Sequence, residues 1–147
     1  MATFVLVHGA YQGGWIWKPV VERLRAGGHV IHAPTLDGCA ERHPRIRPGI
    51  TVATHAEEIA RLMFYEDLRD VVLVGTSSGG MVICKVAELA ADRIARVVFV
   101  DALALLPGER IAELLGRMSG PGSSQGASSP AAESVDTNSS RAVPAGA

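Results

Sequence analysis

The tightest constraint in this sequence is a strand, a five-residue turn and a helix that follow one another without a break. Val71-Val72-Leu73-Val74 is a short β-branched and aliphatic run, the pattern of a strand buried on both faces. Gly75-Thr76-Ser77-Ser78-Gly79 comes next. Met81, Val82, Ile83, Val86, Ala87, Leu89 and Ala90 then recur at helical spacing, with Lys85 and Glu88 on the wet side. Two glycines bracketing a serine between strand and helix predict a tight, strained corner that holds the hydroxyl out at the end of a sheet. A helix over Ser78–Ala91 turns its positive end toward any oxyanion forming beside Ser77. Ser77 is therefore the candidate nucleophile. The plainer reading is a Gly/Ser turn in which Ser77 or Ser78 only caps the helix.

The rest of the chain repeats the alternation. Phe4–Val7 reads as a buried strand, Val30–Ala33 as a second, and Val97–Val100 as the strand after the central helix. Between the first two, Trp17, Val20, Val21 and Leu24 share a helical face, Pro19 suits a first turn, and Gly27-Gly28 stop the helix. Another helix starts at Thr54, with Thr54 and Glu57 as a capping box and Ala56, Ile59, Leu62 and Met63 as its apolar face. Strands alternating with helices require right-handed crossovers, hence an α/β fold with a parallel sheet flanked by helices. Pro107–Met118 reads as a last amphipathic helix, the beginning of a cap over the site. From Ser119 to Ala147 the only larger aliphatics are Val135 and Val143 among Ser, Gly, Ala and Pro, so residues 119–147 are expected to be a disordered tail and 1–118 the folded part.

Composition removes several function classes. A net charge of −1 over 147 residues gives no reason to expect a polyanion partner, and the Arg42–Arg47 run reads as a solvated loop rather than a nucleic-acid patch. Cys39 and Cys84 have no zinc-type spacing and are expected to be reduced thiols. The N-terminus enters a strand at once, without a basic leader, and no apolar run is long enough to span a membrane. The expectation is a cytoplasmic protein with neither membrane nor nucleic-acid partners.

His8-Gly9-Ala10 directly follows the first strand, where an acyl-transfer site needs a loop with free backbone N–H groups. Ala10 and Ser78 are the candidate oxyanion-hole amides, and His8 is expected to support the loop rather than act as a base. Three segments, Phe4–Trp15, Val71–Met81 and Val97–Asp101, resemble the α/β-hydrolase superfamily. The nearest subgroup holds plant methylesterases, hydroxynitrile lyases and related bacterial esterases, and the resemblance covers about residues 3–110. It implies an α/β-hydrolase fold, a Ser77 nucleophile, an ester substrate and no metal or organic cofactor. The lyases typically carry Thr where this chain has Gly9, which favours ester hydrolysis. Thr76 departs from the subgroup, which usually has His there. Gly9, Tyr11 and Trp15 are candidate substrate-pocket residues.

The family's triad runs Ser, acid, His along the chain. His8, His29, His32, His43 and His55 all precede Ser77, and none follows it. Asp101, at the end of the strand after the helix, is a candidate acid, and His55 is a poor substitute base. The implied molecule is a hydrolase sheet truncated after about the fourth parallel strand, from a truncated or frame-shifted product or a partial gene model. Two other readings stand beside it. One is a non-catalytic hydrolase fold that binds a small molecule. The other is a dinucleotide-binding domain like that of short-chain dehydrogenases, suggested by Gly9-Ala10-Tyr11-Gln12-Gly13-Gly14. Against the second, Trp15 and Trp17 are bulky beside a pyrophosphate, and His32-Ala33-Pro34 stands where an acidic residue should end the second strand.

Overall fold

The computed structural model describes residues 1–104 together with Glu109, Glu113, Gly116, Arg117, Ser119 and Gly120. The chain divides into two compact units, Met1–Leu106 and Pro107–Ala147, and the architecture below is that of the first. The expected helix over Pro107–Met118 and tail over 119–147 fall almost entirely outside the described residues.

Seven main elements follow in order: β1 Thr3–Val7, α1 Lys18–Ala26, β2 Val30–His32, α2 Val52–Tyr65, β3 Val71–Ser77, α3 Gly79–Leu89 and β4 Ile94–Ala102. Among the described residues the sheet is all parallel, in the order β2-β1-β3-β4. Period-two alternation divides its side chains between two cores. Val5, Val7, Val71 and Leu73 meet Ala56, Ile59 and Met63 of α2 and Val82, Ile83 and Val86 of α3 on one face. On the other face, Leu6, Ile31 and Val74 meet Trp17 and Val21. A parallel sheet needs this double cover, which is why its strands read as unbroken apolar runs.

Several boundaries differ from the sequence expectation. β3 continues through the turn to Ser77, and β4 runs from Ile94 to Ala102 rather than Val97–Val100, because pairing with β3 extends it at both ends. α3 starts at Gly79 and stops at Leu89, which is half exposed rather than in the core. The capping box of α2 is Thr51 with Thr54, not Thr54 with Glu57: each threonine hydroxyl accepts from the other's backbone N–H, at 3.3 and 3.1 Å. Two threonines do the work usually given to Thr and Glu, so the helix begins earlier, at Val52. Thr51→Ala is expected to lower stability by about 1 kcal/mol, read as a lower urea midpoint with unchanged slope.

At the outer edge, Val98, Phe99 and Val100 of β4 are roughly 40% exposed. The long β2–α2 connection is fixed more firmly than a solvated loop. Arg47, Arg42 and Arg45 converge on the buried Asp37 carboxylate, Arg47 at 2.8 Å, and Arg42 also pairs with Glu58. The Arg47 guanidinium, first among these, holds the Asp37 carboxyl below its ordinary range. The basic run is the solvent-facing loop expected, with Pro44–Arg47 exposed, and its guanidiniums also tie that loop to Asp37.

Candidate active site

The geometry of the Gly75–Gly79 turn follows from crowding. Ser77 has φ 50°, a left-handed conformation that costs a non-glycine residue energy and persists only where the surroundings enforce it. A Cβ on Gly75 would stand 2.8 Å from the Gly79 carbonyl oxygen. A Cβ on Gly79 would stand 2.6 Å from the His8 carbonyl oxygen and 2.7 Å from that of Val7. The first turn of α3 thus sits directly on the end of β1, and both glycines are sterically required. Ser77 itself is exposed. Its carbonyl accepts from the Leu103 N–H at 2.9 Å, so the residue just beyond β4 pins the corner from the opposite side.

Ser78 forms the N-cap of α3, yet its side chain makes no capping hydrogen bond. Its Oγ instead accepts from the Ala10 N–H at 2.7 Å, a contact spanning 68 residues of sequence. The loop after β1 and the start of α3, expected from sequence to cooperate, are therefore in direct contact. Gly9 leaves no room for a side chain: a Cβ there would lie 2.8 Å from the Ser77 Cβ and 3.2 Å from the Thr76 carbonyl oxygen. A threonine there, typical of the lyases, would force the elbow to shift. Gln12 Oε1 accepts from the Gly9 N–H at 2.9 Å, a loop support that nothing in the sequence pattern signals.

His8 supports the loop, as its strand-end position suggests. It is 1% exposed, and its Nε2 accepts from the Leu36 N–H at 2.9 Å. An accepting Nε2 leaves the proton on Nδ1, which donates to the Gly9 carbonyl at 2.7 Å. Both nitrogens are satisfied only in the neutral ring. Burial, the largest influence, depresses its pKa below the ordinary 6.5. The unfolded chain therefore takes up protons before the folded one does. The ring's contribution to stability is complete above 6.5 and is lost as pH falls from there toward the depressed folded value. Between about pH 7.5 and about pH 5.5, thermal unfolding of the native chain is expected to lose more stability than that of His8→Asn, which has no ring to titrate.

The remaining candidates are spread around this corner. Tyr11 (φ 60°), on the loop after Ala10, and Trp15, within the short 3₁₀ turn Gly14–Trp17, are 56% and 62% exposed. Asp101 is exposed at the end of β4 with φ 45°. Thr76 pairs with Val100 and Ser77 with Ala102, so Asp101 is the extra residue of a bulge directly beside the elbow. The Nε2 of His55 lies 2.9 Å from the Asp37 carbonyl oxygen, which commits that ring to the β2–α2 loop. Among the described residues, no histidine hydrogen-bonds Ser77, and no cluster of His, Cys, Asp or Glu is arranged to hold a metal ion.

A parallel sheet doubly covered by helices, with a serine at positive φ between strand and helix, defines a hydrolase-type α/β enzyme fold. The chain belongs to the alpha/beta hydrolase family, whose model matches residues 4–144. It is 40% identical over 115 residues to the carbendazim hydrolyzing esterase of Nocardioides sp. (strain SG-4G), a match covering 78% of this chain and 48% of that one. Methylesterase 8 of Arabidopsis thaliana is 36% identical over 100 residues, covering 67% of this chain and 37% of that one. Among solved structures, a polyneuridine aldehyde esterase (H244A mutant) superposes with a TM-score of 0.70 at 30% identity, covering 80% of this chain and 46% of that one. The chain thus spans about half the length, or less, of the relatives it matches. Family membership removes the dinucleotide-binding alternative, and the packing agrees: a Cβ on Gly14 would meet the Ala33 carbonyl oxygen at 2.1 Å, so that glycine serves loop packing. Among the described residues no helix is long and apolar enough to cross a membrane.

Proposed function

We propose that this chain carries the nucleophile and oxyanion half of a carboxylic-ester hydrolase acting through a Ser77 acyl-enzyme. The observation that carries the reading is the left-handed backbone of an exposed Ser77 at the end of β3. In the reaction, Ser77 Oγ attacks the ester carbonyl carbon while its proton passes to a base, and the carbonyl π pair moves onto oxygen. The oxyanion site is built from the backbone N–H groups of Ala10 and Ser78, that of Ala10 already engaged by Ser78 Oγ, and is reinforced by the N-terminus of α3. Collapse expels the alcohol, which takes the proton from the base. A water, deprotonated in turn, then attacks the acyl carbon and releases the acid and Ser77.

Esterase relatives on both the sequence and the structure side support ester hydrolysis, and the crowding at Gly9 is what weighs against cyanohydrin cleavage. Gly9, Tyr11 and Trp15 are the proposed pocket residues, and Asp101 is the candidate acid. The five histidines all precede Ser77, and the ring nitrogens of His8 are committed to Leu36 and Gly9. The set of groups within the 147 residues is therefore catalytically incomplete, and turnover by this chain alone is expected to be weak. The test is a fluorophosphonate probe followed by peptide mapping. Labelling at Ser77 that disappears in Ser77→Ala supports the reading. Label on another residue, or none even at high probe concentration, leaves a non-catalytic binder as the better description.

A further inference from the structure

We infer that the Ser78 hydroxyl is itself an oxyanion donor, so that Ser78 presents two donors to the substrate oxygen and Ala10 acts through it. The inference rests on the hydrolase reading above and deepens it. In the resting molecule the Ala10 N–H is already engaged, at 2.7 Å, by Ser78 Oγ. An oxyanion must sit at about that distance from its donors, so the hydroxyl stands where an incoming oxygen would meet the Ala10 amide. Having accepted from Ala10, the hydroxyl keeps its own proton to donate. The side chain is also free of the task that would otherwise claim it, because it makes no capping hydrogen bond to α3.

The consequence is electrostatic. A serine hydroxyl that accepts from a backbone N–H is polarised by it and donates more strongly, and most strongly to a full negative charge. The chain Ala10 N–H to Ser78 Oγ–H to substrate oxygen therefore gains more as the carbonyl becomes an oxyanion than it gains on binding the neutral ester. That difference is what accelerates a reaction. Gly9 supports the arrangement: lacking a side chain, it lets the β1 loop press against Ser77 and brings the next amide, that of Ala10, onto Ser78. In this division of labour Ser78 is a catalytic residue and Ala10 a positioning one.

Acylation of Ser77 by a p-nitrophenyl ester, with imidazole supplied as base and the adduct quantified by mass spectrometry, tests the inference on the chain as it stands. Removing one oxyanion donor costs on the order of 10²–10³ in rate. In Ser78→Ala the Ala10 N–H becomes free to take the oxygen directly, which restores part of this. Ser78→Ala is therefore expected to acylate about 10- to 100-fold more slowly at saturating ester, with the half-saturating concentration unchanged. Ser78→Thr, which keeps a hydroxyl, is expected to stay within a few-fold of the native rate. An Ser78→Ala rate equal to or above the native one overturns the inference, as does an effect confined to the half-saturating concentration. Absence of acylation in the native chain itself would instead overturn the hydrolase reading, and this inference with it.

Discussion

Added imidazole is expected to accelerate acylation of Ser77 by roughly tenfold or more, with the rate following the neutral imidazole fraction as pH rises. The backbone holds Ser77 at φ 50°, the conformation the proposed nucleophile needs, and brings Ala10 and Ser78 together in one hydrogen bond. Among the described residues, nothing corresponds to a base. A positioned general base contributes on the order of 10²–10⁴-fold, and a diffusing one recovers only part of this because its translational freedom has not been removed in advance. The expected gain is therefore real but partial. Peptide mapping of the acylated chain is the readout, since imidazole itself hydrolyses activated esters and released p-nitrophenol would mislead. Ser77→Ala should show no adduct at that position, with or without imidazole. An adduct rate indifferent to imidazole would mean that some group in the chain already serves as the base.

The second large effect concerns folding. Gly79→Ala is expected to destabilise the chain by about 3 kcal/mol or more, a large share of what a domain of this size has. An alanine is normally the better helix former, so helix propensity alone predicts a gain. The contacts predict the opposite. The new methyl would lie 2.6 and 2.7 Å from two backbone carbonyl oxygens of β1, and backbone cannot swing away as a side chain can. α3 would have to lift from the sheet, opening the core formed by Val82, Ile83 and Val86 against Val5, Val7 and Leu73. Urea unfolding followed by circular dichroism checks this. A variant as stable as the native chain would mean that α3 is seated differently on β1.

What could be read from sequence, and what could not, follows from the range of each interaction. The strands and the doubly covered sheet were legible because burial on both faces leaves continuous apolar runs such as Val71–Val74. The strained turn was legible because its glycines answer a local steric demand. Ends of elements were less legible. β4 is extended by its pairing with β3, and Leu89, the last residue of α3, is half exposed although its helical spacing matches the core. Least legible were contacts between distant segments. Neither Leu36 on the His8 ring nor Gln12 on the Gly9 amide leaves any local pattern. The Arg42–Arg47 loop is solvated as its composition suggests, but its pairing with Asp37 was not legible because a single carboxylate leaves no pattern in sequence. Capping by Ser78, the plainer alternative that residue type at a helix N-terminus offers, is not what its hydroxyl does, because the close approach of Ala10 decides its partner.

The account's central claim is that Ser77 sits at an oxyanion site built from the loop after β1 and the start of α3. A crystal structure of the chain after reaction with a fluorophosphonate tests this most directly. The expected result is phosphorus bonded to Ser77 Oγ, with one phosphoryl oxygen about 2.7–3.1 Å from the Ser78 N–H and from a donor of the Ala10–Ser78 pair. A phosphoryl oxygen pointing into solvent, or phosphorus on any other residue, would contradict it.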